Sequence, residues 1–249
     1  MKKTNTLLFD GDMVVFQITI GHETEVQWDN DVHTLHSRFS DCLDTFNDYM
    51  KNIVEELNAD DCIFTFSGSD NFRKTVLPTY KSNRKNTRKP LAYKRLKEHI
   101  SELYQTKIHE QLEADDVLGI LATNGKYKNP IIVSDDKDLY TIPGRTYRLG
   151  ELREISEQEA FKYFLTQTLT GDVADGYKGC PGVGAKKAET LLSTPETCTW
   201  DQVLNTYLAA GLTEDDALAQ ARVARILHAS DWDAKKERVI LWQPQTILA

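Results

Sequence analysis

The chain has little of what disulfide frameworks, zinc sites and membrane spans are built from. Its four cysteines are far apart, form no CxxC pair and have no histidine cluster near them: Cys42, Cys62, Cys180 and Cys198. This spacing argues against structural zinc and against a disulfide scaffold. No apolar run approaches the roughly 18 residues of a transmembrane helix, and MKKTNTLLFDGD at the start does not have the pattern of an export signal. We therefore expect reduced thiols, no membrane insertion and a cytoplasmic location.

Length and composition limit the size of the core and the number of domains. A chain of 249 residues, 40% of them hydrophobic, can bury one large core with a small appended lobe, which is sufficient for an enzyme. The six histidines are scattered, and we assign them to surface or packing positions. We expect a monomer.

The net charge of −8 conceals an uneven distribution. Residues 71–97 contain ten basic residues and no acid, so the rest of the chain carries −18. The ten are Arg73, Lys74, Lys81, Arg84, Lys85, Arg88, Lys89, Lys94, Arg95 and Lys97. A basic segment on an acidic body can guide a polyanion, because phosphate neutralisation with counterion release acts locally. The alternative is a solvated basic loop or a disordered arm.

Carboxylates stand in tight groups at several places. The groups are Asp10 with Asp12, then Glu113, Asp115 and Asp116, then Asp135, Asp136 and Asp138, and finally Asp172 with Asp175, while Asp70 stands apart. Side chains gathered in this way repel one another unless cations lie between them, which predicts a site for hard divalent metals. Taken singly, each group has another explanation, since acids are also common in first helical turns and at helix caps.

The apolar pattern predicts an α/β fold with a central, mainly parallel sheet flanked by helices. TNTLLF, DCIFTF and NPIIVS are predicted strands, YRLGELREI a hairpin and RVILW a short last strand. Spacings of three and four predict an amphipathic helix of about seven turns between Val32 and Leu57, and a last helix spans about 216–228. Because the carboxyl ends of parallel strands share one edge, acids that follow different strands are expected to converge there.

The string PGVGAKK is the most diagnostic short motif. Gly182 and Gly184 allow a tight hairpin between two helices, and free amides beside Lys186 and Lys187 suit a backbone phosphate. The pattern is that of a helix–hairpin–helix. The alternative is an ordinary glycine-rich helix start.

Five strings resemble a known family in their order and approximate spacing: LLFDGD, YKSNRK, LEADDV, SDDKDLYTI and TGDVADGYKGCPGVGAKKA. The family is the flap endonuclease/5′→3′ exonuclease family, and the chain is most similar to its gene-six type branch in T-odd podophages. The resemblance implies a sheet of the PIN/5′-nuclease kind, a helical arch and a helix–hairpin–helix lobe. It implies a catalytic domain at 1–165, which includes a basic arch segment at about 71–110, and a DNA-binding region at 166–249 on the same core.

The resemblance also implies the site. It implies two Mg²⁺ ions, replaceable by Mn²⁺, one held by Asp10, Glu113, Asp115 and Asp116 and the other by Asp136, Asp138, Asp172 and Asp175. Lys81 and Arg84 are the implied catalytic cations. The implied DNA contacts are Arg73, Lys74, Tyr80, Lys85, Arg88, Lys89, Gly182, Gly184, Lys186 and Lys187, with K⁺ at the hairpin. The implied substrates are DNA with 5′ ends or flaps and RNA–DNA hybrids, in phage replication or recombination.

Two positions depart from the family pattern. Asp135 falls where the family has a small residue, and we leave it out of the site. The family places an acid directly after the second strand, where this chain has Ser67 and Gly68. Asp70 comes slightly later, and we include it as a residue that reaches the metal directly or through water. Asp12 can also be a helix cap.

Two other functions compete with a nuclease. In a haloacid-dehalogenase-like phosphatase, Asp10 would be a covalent nucleophile, but the PGVG string and the basic segment would have no role. In a catalytically silent DNA-binding relative, the acid absent at Gly68 would mark lost activity.

Overall fold

The computed structural model describes residues 4–84 and 88–244, with Arg84 described by its backbone alone. In chain order its elements are β1 (Asn5–Asp10), α1 (Gly11–Gly21), β2 (Glu23–Gln27), β3 (His33–Ser37), α2 (Phe39–Glu56), β4 (Ala59–Ser67), α3 (Arg73–Val76), a 3₁₀ turn (Ser82–Arg84), α4 (Tyr93–Leu103), β5 (Gln105–His109), α5 (Ala114–Thr123), β6 (Pro130–Val133), a 3₁₀ helix (Lys137–Thr141), β7 (Gly144–Arg148), β8 (Glu151–Ile155), α6 (Glu157–Thr170), α7 (Ala185–Leu191), α8 (Trp200–Ala209), α9 (Glu214–Ala224), a 3₁₀ turn (Ala229–Asp231), β9 (Trp232–Asp233) and β10 (Arg238–Val239).

Within these residues, six strands form one mixed sheet in the order β5-β4-β1-β6-β7-β8. All neighbouring pairs are parallel except β7 and β8, which form an antiparallel hairpin. The register sets Leu7 of β1 beside Cys62 of β4 and Ile131 of β6. Every residue of β1 is buried, as expected for a central strand covered on both faces. The predicted α/β fold with a mainly parallel sheet is confirmed.

Alternate residues of β1 face opposite layers, as the strand period of two requires. Leu7 and Phe9 pack in a cluster with the helices α1, α2 and α4, while Leu8 packs on the other face against α5. Phe9 stacks on Phe64 of β4, with ring centroids 4.6 Å apart. Asp10, at the carboxyl end of β1, is therefore positioned by a strand that is packed on both faces.

A third apolar cluster lies among α6, α7, α8 and α9. It includes Phe164, Leu165 and Leu169 of α6. The predicted boundary between residues 165 and 166 falls inside α6, and the division into two domains stays a prediction. None of the helices in the described ranges is long and apolar enough to cross a bilayer.

The structure corrects several predicted elements. The helix predicted from Val32 begins only at Phe39, because residues 33–37 pair with β2 as the strand β3. Leu35 fits the helical spacing by coincidence and is 42% exposed. The sequence pattern also missed β5, whose mostly polar sequence QTKIH forms an edge strand beside β4. β5 lies within the range of about 71–110 that was assigned to the arch segment, and the bounds of that segment stay a prediction.

The remaining differences concern the C-terminal part. Helix α8 was not predicted; the Oγ1 atom of Thr199 caps it by accepting from the backbone N–H of Gln202. The predicted last helix ends at Ala224, and the RVILW strand shortens to two residues, Arg238 and Val239.

Candidate active site at the carboxyl edge of the sheet

A cavity of about 430 Å³ opens where β1, β4 and β6 end. Acidic side chains from four parts of the chain line it: Asp10, Asp12, Glu113, Asp115, Asp136, Asp138, Asp172 and Asp175. Tyr80, Lys81 and Lys89 of the arch segment line the same cavity. The predicted convergence of distant acids at one sheet edge therefore occurs in the folded chain.

Asp10 is held at the junction of β1 and α1. As the N-cap of α1, its Oδ1 atom accepts from the backbone N–H of Met13 at 3.1 Å, and its Oδ2 atom accepts from the Ser134 hydroxyl at 3.1 Å. Burial raises the pKa of Asp10 to about 6, and the charges of Asp12 and Asp136 act in the same direction. Asp10 is therefore a fixed carboxylate in a field of like charge.

Glu113 and Asp115 lie at the start of α5, where backbone N–H groups favour negative charge. Burial raises the pKa of Asp115 well above its ordinary value, with Asp10 and Asp136 adding to the rise. Glu113 behaves in the opposite way: although burial opposes ionisation, Arg73 and Lys81 hold its pKa at about 2. The pKa values of these two acids thus shift in opposite directions, because Glu113 has cations beside it and Asp115 has carboxylates beside it.

Asp136 and Asp138 follow β6. Asp136 caps the 3₁₀ helix, its Oδ1 atom accepting from the backbone N–H of Asp138 at 2.8 Å. Burial raises the pKa of Asp138 to about 6, and the charges of Asp136 and Asp172 add to the rise. Asp136 and Asp138 are the acids that line the cavity next to the end of β6.

Asp172 and Asp175 come from a tight loop that is closed by a bridge between Asp172 and Tyr177. Gly171 has a φ of +67°, and a Cβ atom there would lie 2.3 Å from the backbone of Lys178. Only glycine fits this approach. Gly171 therefore allows the tight loop that places Asp172 and Asp175 at the cavity.

Tyr80 and Lys81 contact these acids directly. The Tyr80 hydroxyl donates to Glu113 Oε2 at 2.9 Å and lies 3.1 Å from Asp175 Oδ2. The Lys81 ammonium donates to Glu113 Oε1 and lies 3.5 Å from Asp175 Oδ2. The backbone N–H of Lys81 also donates to the Asp175 carbonyl at 2.8 Å. A cation thus already lies between two of the predicted metal ligands.

Asp116 does not line the cavity, which corrects its predicted role as a metal ligand. Its side chain is fully buried and forms a two-pronged ion pair with Arg73, at 2.6 and 2.7 Å. Spacing in the sequence cannot separate Asp116 from Asp115, because both lie in the first turn of α5.

Asp70 also lies outside the acidic cavity. Its side chain is 62% exposed in a neighbouring groove and lies 3.9 Å from Lys74. This position does not support the predicted contact with a metal. Asp135, which was left out of the site, is held instead by Gln17 and by the backbone N–H of Leu149.

The predicted DNA contacts fall into different environments. Arg73 is 2% exposed, so the structure corrects its predicted contact with DNA. Arg88 forms a two-pronged ion pair with Glu23 of β2, while Lys74 and Lys89 are exposed. Lys85 and the side chain of Arg84 lie outside the described residues.

The PGVGAKK motif forms a turn that leads into α7. Gly182 has a φ of +72° and Gly184 is the N-cap of α7, while Val183 between them is buried. Lys186 and Lys187 are exposed on the first turn of the helix. The motif thus presents its lysines outward while Val183 anchors it.

Asp12 is a cavity residue that the predicted site omitted. Its Oδ2 atom accepts from the backbone N–H of Ser67 at 2.7 Å, and its Oδ1 atom accepts from the Tyr93 hydroxyl. The sequence did contain a signal for this position, since Asp12 follows Asp10 by two residues after the same strand. Gly68 has no space for an acid, because a Cβ atom would lie 2.2 Å from the carbonyl oxygen of His109.

The donor chemistry of the cavity fits hard divalent cations, since every acidic group offers carboxylate oxygens. Burial, and then the charges of neighbouring carboxylates, raise the pKa of Asp10 and of Asp138, and cations beside them would favour the ionised forms. In residues 4–84 and 88–244, no three His, Cys, Asp or Glu side chains form a ready-made ligand set for one ion. Lys81 and Tyr80 already engage Glu113 and Asp175, so a cation at these two carboxylates would have to displace those contacts.

Comparison with known proteins agrees with the fold. A sequence profile described as "5'-3' exonuclease, N-terminal resolvase-like domain" matches residues 5–164. The exodeoxyribonuclease of Enterobacteria phage T3 and the exonuclease of Escherichia phage T7 are each 28% identical to the chain, over 96% of it and 93% of the relative. Among solved structures, the T5 5′-exonuclease with bound zinc gives a TM-score of 0.61 at 17% identity, covering 88% of this chain and 93% of the other.

Fold and site together define a nuclease of the 5′-exonuclease and flap endonuclease class. The profile match covers more than half of the sequence, and the chain belongs to the 5′-3′ exonuclease family. The expected family is confirmed, and none of these comparisons supports the phosphatase alternative.

Proposed function

We propose that the chain hydrolyses phosphodiester bonds near the 5′ ends of duplex DNA with two divalent cations, Mg²⁺ in the cell and Mn²⁺ as a substitute. The observation that carries this proposal is the cavity in which eight carboxylates face Tyr80 and Lys81 of the arch segment. DNA flaps and the RNA strand of RNA–DNA hybrids belong to the same substrate class. The T5 relative has been solved with zinc, and also with DNA and metal ions.

The carboxylates divide into two proposed ligand groups. Asp10, Glu113 and Asp115 hold one ion, and Asp136, Asp138, Asp172 and Asp175 hold the other. Divalent cations in these positions supply a water of lowered pKa for in-line attack and positive charge for the phosphate. The water oxygen forms a new bond to phosphorus, the P–O3′ bond breaks, and the 3′ oxygen takes up a proton, so the products are a 3′ hydroxyl and a 5′ phosphate.

The residues of the chain then have distinct tasks. Lys81 exchanges its carboxylate partners for the scissile phosphate and neutralises the charge that develops there. Tyr80 is buried beside it and fixes the backbone from which Lys81 extends. Arg84 is proposed to assist from the following turn.

The duplex is proposed to lie across the C-terminal lobe. Lys186 and Lys187 contact a backbone phosphate next to the Gly182–Gly184 turn, where K⁺ can bridge carbonyl and phosphate oxygens. Lys74 and Lys89 extend the basic path toward the cavity, where like-charged acids alone would repel DNA. Lys85, which lies outside the described residues, is proposed as a further DNA contact.

The test is a timed digest of 5′-labelled flap, nicked and blunt substrates, with and without EDTA. Replacing Asp136 with asparagine should abolish cleavage while DNA binding survives, because the carboxylate serves the cations and not the DNA. Asp135→Asn is the matched control: it removes the neighbouring charge, which is held outside the cavity, and should leave cleavage within a few-fold of wild type. Full activity of Asp136→Asn, or wild-type cleavage in EDTA, would refute the proposal.

A further inference from the structure

Arg73 has an unusual position for a residue of a basic segment. It begins α3, directly after the loop that follows β4, and its side chain is 3% exposed. Its guanidinium lies 4.7 Å from the ring centroid of Phe72 and 5.7 Å from that of Tyr80. A buried arginine is costly unless its N–H donors are all satisfied.

The guanidinium of Arg73 satisfies its donors on two other segments, the start of α5 and the end of α9. Its Nε atom donates to the carbonyl of Val223 at 2.9 Å, and Nη2 donates to the carbonyl of Arg225 at 2.6 Å. Nη1 and Nη2 donate to the two oxygens of Asp116, and Nη1 also reaches Glu113 Oε2 at 3.3 Å. Arg73 thereby joins the start of α3 to the start of α5 and to the end of α9.

Asp116 completes this arrangement. Its Oδ1 atom also accepts from the backbone N–H of Leu227 at 3.2 Å, and its Oδ2 atom accepts from the backbone N–H of Glu113 at 3.2 Å. Both oxygens are therefore engaged by the protein. The rigid fork of arginine suits this paired geometry, whereas a lysine has a single ammonium.

We propose that Arg73 is a positioning residue that orients Glu113 for a divalent cation, and that Asp116 serves to hold Arg73. The inference rests on the proposed function, because it assigns Glu113 to the metal site. Residues that orient a metal ligand commonly change metal affinity by about 10- to 100-fold when they are replaced.

The main variant is the double substitution Arg73→Met with Asp116→Leu. Apolar residues of similar size often replace a buried ion pair without loss of folding. This variant keeps the core filled and removes two contacts of Glu113, the one from Arg73 to its side chain and the one from its backbone N–H to Asp116. Arg73→Lys is the second variant, because it keeps the charge and loses the fork. Asp231→Asn is the control: it breaks another buried ion pair, with Arg225, that has no contact with the cavity acids.

Folding is checked by circular dichroism, and Mn²⁺ binding is measured from the electron paramagnetic resonance signal of free Mn²⁺. We expect the double variant to fold and to bind one of its two ions about 10- to 100-fold more weakly. Arg73→Lys should show the same loss to a smaller degree, and Asp231→Asn should bind Mn²⁺ like wild type. In a Glu113→Gln background, the double substitution should cause no further loss.

Unchanged Mn²⁺ affinity in the folded double variant would overturn the inference. Losses that add to that of Glu113→Gln would overturn it too, because Arg73 would then act by another route. If the double variant does not fold, Arg73→Lys decides by the same two criteria. Failure of the proposed function would be visible separately, as a wild-type protein that binds no Mn²⁺ or cleaves no 5′-labelled DNA; the inference would then fall with it.

Discussion

Replacing Asp10 with asparagine should stabilise the metal-free protein at neutral pH while it abolishes cleavage. Burial, with Asp12 and Asp136 acting in the same direction, raises the Asp10 pKa from 3.8 to about 6. The folded protein therefore binds this proton more tightly than the unfolded chain does. The ionised carboxylate costs nothing below about pH 4, costs more as the pH rises, and reaches its full cost of about 3 kcal/mol above about pH 6.

Asparagine removes that charge but also removes one acceptor. Asparagine caps helices about as well as aspartate, so the bond from the backbone N–H of Met13 can remain. The bond from the Ser134 hydroxyl is weakened, at a cost of about 1 kcal/mol. The net gain should be about 2 kcal/mol above pH 6, and asparagine should bring no gain near pH 4.

Urea unfolding in EDTA at about pH 7.5 and about pH 4 measures this difference. Asp135→Asn is again the control, and it should show no gain of this kind. Adding Mg²⁺ at pH 7.5 should raise the stability of wild type more than that of Asp10→Asn, because ligand binding stabilises the state that binds it. An Asp10→Asn protein that is less stable at both pH values, or equally stabilised at both, would refute the reasoning.

Three further predictions follow from particular contacts. Arg73→Met alone should lower the free energy of unfolding by about 3–5 kcal/mol in urea, because it leaves the Asp116 charge buried and unpaired; a loss below about 1 kcal/mol would contradict this. Gly68→Ala should cost about 1–3 kcal/mol in thermal or urea unfolding, since its Cβ atom would meet the carbonyl of His109 at 2.2 Å; a neutral change would contradict the packing. Lys187→Ala should weaken DNA binding and reduce the slope of log affinity against log salt by about one; an unchanged slope would remove it from the proposed interface.

The sheet and most of the site follow from patterns that the sequence displays openly. The strands β1 and β6 are short apolar runs that end at acids, and parallel strands bring such ends together. That relation was enough to predict that Asp10, Asp136 and Asp138 meet. The tight loop with Asp172 and Asp175 was visible from its glycines.

The errors in the predicted site arise where nearby residues have the same chemistry and differ only in where their side chains point. Asp115 and Asp116 are adjacent carboxylates, and only the fold reveals that one lines the cavity while the other pairs with Arg73. Arg73 and Lys81 are both basic residues of one segment, yet Arg73 is buried whereas Lys81 is partly exposed at the cavity. Leu35 fitted a helical period by chance, because a hairpin precedes α2.

The most direct test of the account is a crystal structure of the protein grown or soaked in Mn²⁺, with anomalous data to locate the ions. We predict two manganese peaks in the cavity, one among Asp10, Glu113 and Asp115 and the other beside Asp136, Asp138, Asp172 and Asp175. Asp116 should still pair with Arg73, and Asp70 should hold no ion. An empty cavity, or manganese bound only at Asp70 or elsewhere on the surface, would contradict the central claim that these carboxylates form a two-metal nuclease site.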